Sequence, residues 1–236
     1  MNRMYKKYAN KMYCFSPPVM LATFALEFGL AFYVIWRYKM NIISRLVFIL
    51  LVCLGLFQLA EYMICGGLGL TGIEWARVGY MSISLLPALG IHLIMAIANK
   101  INWPLLLAAY GTAVAYMLYF LLGPGTVIAQ ECAPNYAVFS AHGFGALLYG
   151  FYYYGWLLVA VGLATYLARI KPKNARALRW TVIGYATFII PTTIANIIDP
   201  RTLAAIPSIM CGFAVLLAII LVWQVLPLSR VPRIKH

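Results

Sequence analysis

Five acidic residues, three histidines and five cysteines are the chain's stock of side chains able to exchange protons, hold metals or change redox state. Most of them stand within or beside long apolar runs. Gln58, Glu61 and Cys65 are spaced i, i+3 and i+7, so on a helix they form one stripe facing a single neighbour. A carboxyl within an apolar run is costly as an ion and usually faces a bundle interior or a water-filled cavity. Glu61 and the more central Glu27 are therefore candidates for holding or passing a proton in neutral form. A structural carboxyl bonded to a tyrosine or a backbone group is the alternative for each.

The histidines test for metal hydrolysis. His142 stands at the start of one apolar run, whereas His92 is 14 residues into another that runs in the same direction. At about 1.5 Å of rise per residue the two differ in depth by roughly 20 Å. They cannot share a zinc ion, whose nitrogen ligands sit at about 2.0–2.1 Å. His92 alone suits an interhelical hydrogen bond or a place on an ion path, and His142 a place in an outer pocket.

The elements that position these residues follow from composition. With 64% hydrophobic and 10% charged residues and a mean hydropathy of +0.89, the chain is a membrane protein. A helical span needs about 20 predominantly apolar residues. Seven such runs occupy roughly 17–37, 43–66, 78–98, 103–123, 140–168, 178–198 and 203–226. Continuous apolar runs exclude a barrel, whose strands would alternate with period two. The expected fold is an all-α, seven-transmembrane-helix bundle in one domain, with no room for a soluble catalytic domain. Pro87 and Pro191 each remove a backbone donor inside a span, and each should kink its helix and leave a carbonyl for a neighbour.

Positive residues in short loops mark the cytoplasmic side. An outside N-terminus places Arg37, Lys39, Arg45, Lys100, Arg169, Lys171, Lys173, Arg176, Arg179, Arg230, Arg233 and Lys235 inside, and only Arg77 and Arg201 in the outside connections. Residues 1–16 disagree, carrying Arg3, Lys6, Lys7 and Lys11. They read as an interfacial amphipathic tail with Met1, Met4, Tyr5, Tyr8 and Met12 on one face. This tail lacks the apolar core and cleavage pattern of a signal peptide. Residues 227–236 read as a basic cytoplasmic tail. The net charge of +13 then reflects topology in a plasma (inner) membrane and anionic lipid headgroups. No basic stripe interleaved with aromatics suggests nucleic acid.

In this orientation Cys14, Ser16, Glu61, Cys65, Glu131, Cys132, His142, Asn196 and Asp199 gather at the outer end. Disulfides persist on the oxidising side, and Cys65–Cys132 is the preferred pair because both flank the carboxylates. The rival use of Cys14, Cys65, Cys132, Glu61 and His142 is a soft-metal site for copper or zinc, although no CxxC or HxxxH spacing supports it. Cys53 and Cys211 read as packing residues. The tyrosines of 149–154 point around their helix, with at most two on one face, and suit interhelical packing and hydrogen bonding. Gly145, Gly150 and Gly155 repeat at five residues and do not make a GxxxG face.

Among seven-span families, retinal proteins need a lysine in the last span, ceramidase-type hydrolases a multi-histidine set and small sugar transporters a Pro-Gln pair in each repeat; all are absent. Trp75-Ala76-Arg77-Val78-Gly79-Tyr80, Leu86-Pro87-Ala88-Leu89 and His92-Leu93 resemble the third-helix region of the seven-span sensor module of bacterial histidine kinases. Cys14-Phe15-Ser16-Pro17, Gln58 with Glu61, and Met210-Cys211-Gly212-Phe213 resemble a prokaryotic seven-span family that opens on a Cys-Phe-Ser-Pro motif. That resemblance implies a shared fold and no particular activity.

Three functions fit these readings. The first is a sensory or ligand-binding module with an outer pocket of Glu61, His142, Gln58, Asn196 and Asp199, capped by residues 124–139 and signalling through a membrane partner. The second is a proton- or ion-coupled transporter or channel using Glu27, Glu61 and His92. The third is an accessory subunit of a larger membrane complex. An intramembrane enzyme is the least suited, since no nucleophile and base can be paired.

Overall fold

A computed structural model describes residues 17–66, 71–123, 127–133, 136–141, 144–198, 206–229 and 231–234. Seven helices among them are long and apolar enough to cross a membrane. They are α1 (Pro17–Arg37), α2 (Ile42–Gly66), α3 (Gly72–Ala98), α4 (Trp103–Leu122), α5 (Phe144–Ile170), α6 (Ala175–Ile198) and α7 (Ile206–Ile220). The last continues through a π-helical turn, Leu221–Val225, into a final turn at Leu226–Leu228. The chain is a multi-pass, seven-helix membrane bundle.

Successive helices α1 to α4 pack as neighbours, and α5 to α7 do the same. The two sets join where α3 meets α5 and α6 and where α7 meets α1 and α2. Burial follows from this arrangement. The central α3 buries 78% of its most apolar window, against 22% for α4 at the periphery. Phe32, Leu107, Leu122, Phe151 and Ile198 accordingly remain exposed. In lipid they need no further cover.

Three boundaries depart from those read in the sequence. Helix α3 starts at Gly72 instead of 78, because Thr71 and Glu74 form a capping box. The Thr71 backbone N–H donates to Glu74 Oε2 at 2.7 Å, and the Glu74 N–H to Thr71 Oγ1 at 3.4 Å. Two otherwise orphaned donors at the helix start are thereby satisfied. Arg77, expected in a connection, belongs to this helix. The second departure is a β-hairpin of β1 (Val127–Ala133) and β2 (Tyr136–Ala141), antiparallel with a register shift between Ala129 and Cys132. It replaces a structureless connection, makes the bundle less than wholly helical and moves the start of α5 from 140 to Phe144. The hairpin backbone adjoins α2, α3 and α7.

The third departure is at the C-terminal end. Residues 231–234, expected as a basic tail, pair with the α1–α2 connection. The Lys39 N–H donates to Pro232 O and the Ile234 N–H to Arg37 O, both at 2.9 Å. Tyr38 and Arg233 form the bridge between them. The Arg37 guanidinium adds a bond to Ile234 O at 2.9 Å. Burial pushes the Tyr38 phenol above its usual range, and the adjacent Arg233 guanidinium pulls the other way.

Pro87 and Pro191 both lie inside continuous helices, α3 and α6. Pro87 lies within buried α3 and frees a carbonyl one turn earlier. One residue beyond that carbonyl, Ser84 O receives the Tyr152 hydroxyl of α5. The Ser84 hydroxyl itself donates to Tyr80 O at 2.7 Å and lies 3.1 Å from the Tyr149 hydroxyl. Tyr149, Tyr152 and Tyr153 are spaced i, i+3 and i+4. Three tyrosines thus pack on the core together, one more than the sequence reading allowed, because i, i+3 and i+4 fall within about 100° of one another on a helix. Their rings join Tyr116 and Phe120 of α4 and Tyr80 of α3, with Tyr80 stacked on Phe120 at 4.4 Å between centroids and Tyr116 tilted against Tyr152 at 4.6 Å. Tyr149–154 is a packing and hydrogen-bonding element.

Candidate functional site

Glycine at position 55 of α2 lets α1 approach closely. A Cβ there would collide with the Phe28 ring and stand 3.7 Å from Glu27 Cβ, which sets Glu27 level with Gly55. One turn nearer the start of α1, the Thr23 hydroxyl lies 3.1 Å from Gln58 Oε1. Helix α7 closes the third side, bringing Ser208 against Glu61 and Cys211 within electrostatic range of both carboxyls. Glu27 and Glu61 also interact with each other.

This cluster is buried and under-bonded. Glu27, Glu61, Gln58 and Ser208 expose 0, 1, 2 and 3% of their surface. Both Glu27 carboxyl oxygens, Glu61 Oε1, the terminal nitrogen of Gln58 and Ser208 Oγ lack hydrogen-bond partners. Ser208 sits beside Glu61 without completing a hydrogen bond of good geometry. Among the described residues no lysine or arginine influences either carboxyl. Buried polar atoms are nearly always paired, so five orphans in one place mark a site completed by something further.

The Thr23 hydroxyl meets the Gln58 amide. It lies 3.1 Å from Gln58 Oε1, which accepts from it, and 3.0 and 2.9 Å from Val19 O and Met20 O of its own helix. The unpartnered end of Gln58 is its amide nitrogen, a donor.

The expected site residues are thus regrouped. Gln58 and Glu61 do share a face, and Glu27, placed apart by depth counting, joins them. Cys211, read as a packing residue, and Ser208, three residues before it, complete the cluster. The signal for them was their i, i+3 spacing on the helix that the residues of α1 and α2 also face. His92 does not belong with them. Its Nδ1 lies 3.0 Å from the Tyr110 hydroxyl of α4, ring edge to ring face. Asn196 is half-buried in the last turn of α6. His142 and Asp199 lie outside the described residues, as do Cys14 and the N-terminal tail. Cys65 ends α2 and Glu131 and Cys132 lie in β1, but their side chains are outside the description, so the expected Cys65–Cys132 bridge falls there too. Cys53 and Cys211 are buried free thiols. Among the described residues no three His, Cys, Asp or Glu side chains form a metal-binding group.

A cavity of about 30 Å³ lies beside the cluster, lined by Cys211, Met210, Tyr153, Tyr185 and mainly leucines. It has room for something the size of a water molecule or two. No protein-family model matches the chain, and no curated protein matches it in sequence.

Proposed function

We propose that this protein takes up and releases a proton at the paired carboxyls Glu27 and Glu61, in the manner of a proton- or ion-coupled transporter or channel. The observation that carries this reading is the pair itself: two acids buried between α1, α2 and α7, with orphaned oxygens and no cationic partner among the described residues. Two interacting acids in a low dielectric cannot both ionise cheaply, so at least one holds a proton or is neutralised by an added cation. Intramembrane acids with this pattern mark proton and ion pathways. His92, expected on the same route, is occupied by Tyr110 and is left out of it.

The test is infrared spectroscopy of the purified protein across pH, following the protonated-carboxyl stretch. Wild type should lose carboxyl signal as pH rises, and Glu27→Gln and Glu61→Gln should each remove part of it. An unchanging spectrum, with proteoliposomes whose proton flux matches empty vesicles, overturns the reading.

A ligand-sensing role remains the second reading, favoured by the hairpin. Its backbone adjoins α2, α3 and α7, two of which carry cluster residues, and Gln58, Glu61 and Cys211 are among the residues behind the resemblance to the Cys-Phe-Ser-Pro family. In this reading a Cys65–Cys132 bridge would fasten the hairpin, and a partner would carry the signal. The biased distribution of Lys and Arg supports an outside N-terminus, a plasma-membrane location and contact with anionic headgroups.

A further inference from the structure

We infer that the cavity beside Cys211 holds water anchored by the hydroxyls of Tyr153 and Tyr185, and that this water is the next station for a proton travelling between the carboxyl pair and the Arg- and Lys-rich end of the bundle. This rests on the proton-exchange reading and gives that proton a route.

The buried tyrosines differ in what their hydroxyls meet. Those of Tyr149 and Tyr152 bond to Ser84 of α3. Tyr153, on the same helix, makes no hydrogen bond among the described residues, and neither does Tyr185 of α6. Both line the cavity with Cys211, and Tyr153 is within electrostatic range of Cys211 and of Tyr185. Glycine at position 90 of α3 makes room for the Tyr185 hydroxyl, which a Cβ there would overlap. Cavities walled only by Leu, Ile and Phe stay dry. This one has about 30 Å³, above the roughly 10–15 Å³ that one water needs, and it offers the water two hydroxyls and a thiol as polar partners. Since buried polar atoms are nearly always paired, water is the occupant that satisfies both hydroxyls.

The cavity continues the line of the carboxyl cluster. On α2, Glu61 and Gln58 are followed, towards the start of the helix, by Gly55 level with Glu27 and then by Leu54 and Leu50 of the cavity wall. On α7 the same order recurs, with Ser208 beside Glu61, Cys211 in range of both carboxyls, and Ala214 and Leu217 in the wall. Cys211 belongs to both. The cavity thus runs from the middle of α2 into the half whose end carries Arg37, Lys39 and Arg45. A proton borne on this water passes to a carboxylate by breaking one water O–H bond and forming one carboxyl O–H bond, and release reverses the exchange. Tyr153 and Tyr185 keep their own protons and hold the water in place.

Crystals of the full-length protein, at a resolution that shows ordered water, test the occupant. Density for water within hydrogen-bond reach of both hydroxyls is expected, and its loss in Tyr185→Phe, a change that keeps the ring. An empty cavity, or one that takes up xenon under pressure and shows no water, overturns the inference. Proton flux into proteoliposomes tests the route. Ala214→Val, which fills the cavity, and Cys211→Val, which puts an apolar group in place of the thiol, should each slow flux about tenfold, the rate cost of one missing hydrogen bond. Cys211→Ser should restore the wild-type rate, and the carboxyl infrared titration should be unchanged in all three. If the larger side chains disturb the bundle, Tyr153→Phe and Tyr185→Phe should give the same slowing. Equal flux in variants that keep the carboxyl titration overturns the route and leaves proton exchange standing. Wild-type flux that matches empty vesicles overturns the proton reading and the route with it, while the water stands or falls on its own density.

Discussion

Two polar clusters sit side by side in this bundle and are built on opposite principles. Between α3, α4 and α5, the rings of Tyr80, Tyr116 and Tyr152 pack against Tyr149 edge-on or tilted, and the hydroxyls of Tyr149 and Tyr152 meet Ser84. Between α1, α2 and α7, Glu27, Gln58, Glu61 and Ser208 leave five polar atoms unpaired. Cys211 stands on the boundary, within electrostatic range of Tyr149 and Tyr153 as well as of both carboxyls. The hydroxyls of Tyr149 and Tyr152 are a poor guide to function because the protein satisfies them from within. The carboxyl cluster draws attention because it does not.

Mutation can break this contrast. The largest effect is expected for Tyr152→Ala, which removes a buried ring packed at 4.6 Å on Tyr116 and should cost about 3–5 kcal/mol in unfolding titrations. Retained stability would mean that the ring cluster does not hold α5 in place. Glu27→Leu should instead keep or gain stability, by up to about 1–3 kcal/mol, since it exchanges an unsatisfied buried acid for an apolar side chain. A marked loss in the same titration would reveal that Glu27 has a partner and is structural. Tyr152→Phe keeps the ring and loses only its bond to Ser84 O, and should cost about 0.6–1.7 kcal/mol, the range for interhelical hydrogen bonds in membranes. Tyr110→Phe should have the smallest effect, about 0.6 kcal/mol, with the carboxyl infrared signal unchanged. A shift in that signal would bring His92 back onto the ion path.

Number and class of helices were legible because lipid imposes a length and an apolar composition on every span. The first turn of α3 was also written in the sequence, as Thr71 and Glu74 three residues apart, but those polar residues lowered the local hydropathy and hid the start. Glu27 could not be placed with Glu61 by counting depth from the ends of single helices. What joins them is the close passage of α1 over Gly55, a property of the pair of helices. Cys211 looked like a packing residue, and Ser208 drew no reading, for a related reason: their role depends on which helix they face. The hairpin escaped because short strands joining spans leave a weak signal beside long apolar runs.

The pairing of residues 37–39 with 232–234 has a mechanical consequence. It fastens the end of α1 to the segment that follows α7, and these are two of the three helices that hold the carboxyl cluster. The fastening lies at the C-terminal end of α1, with Glu27 near the middle of that helix and Thr23 nearer its other end. With these ends clasped through backbone bonds and the Arg37 guanidinium, the two helices resist sliding past one another, and the level at which Glu27 meets Ser208 and Cys211 is set from the far end of the bundle.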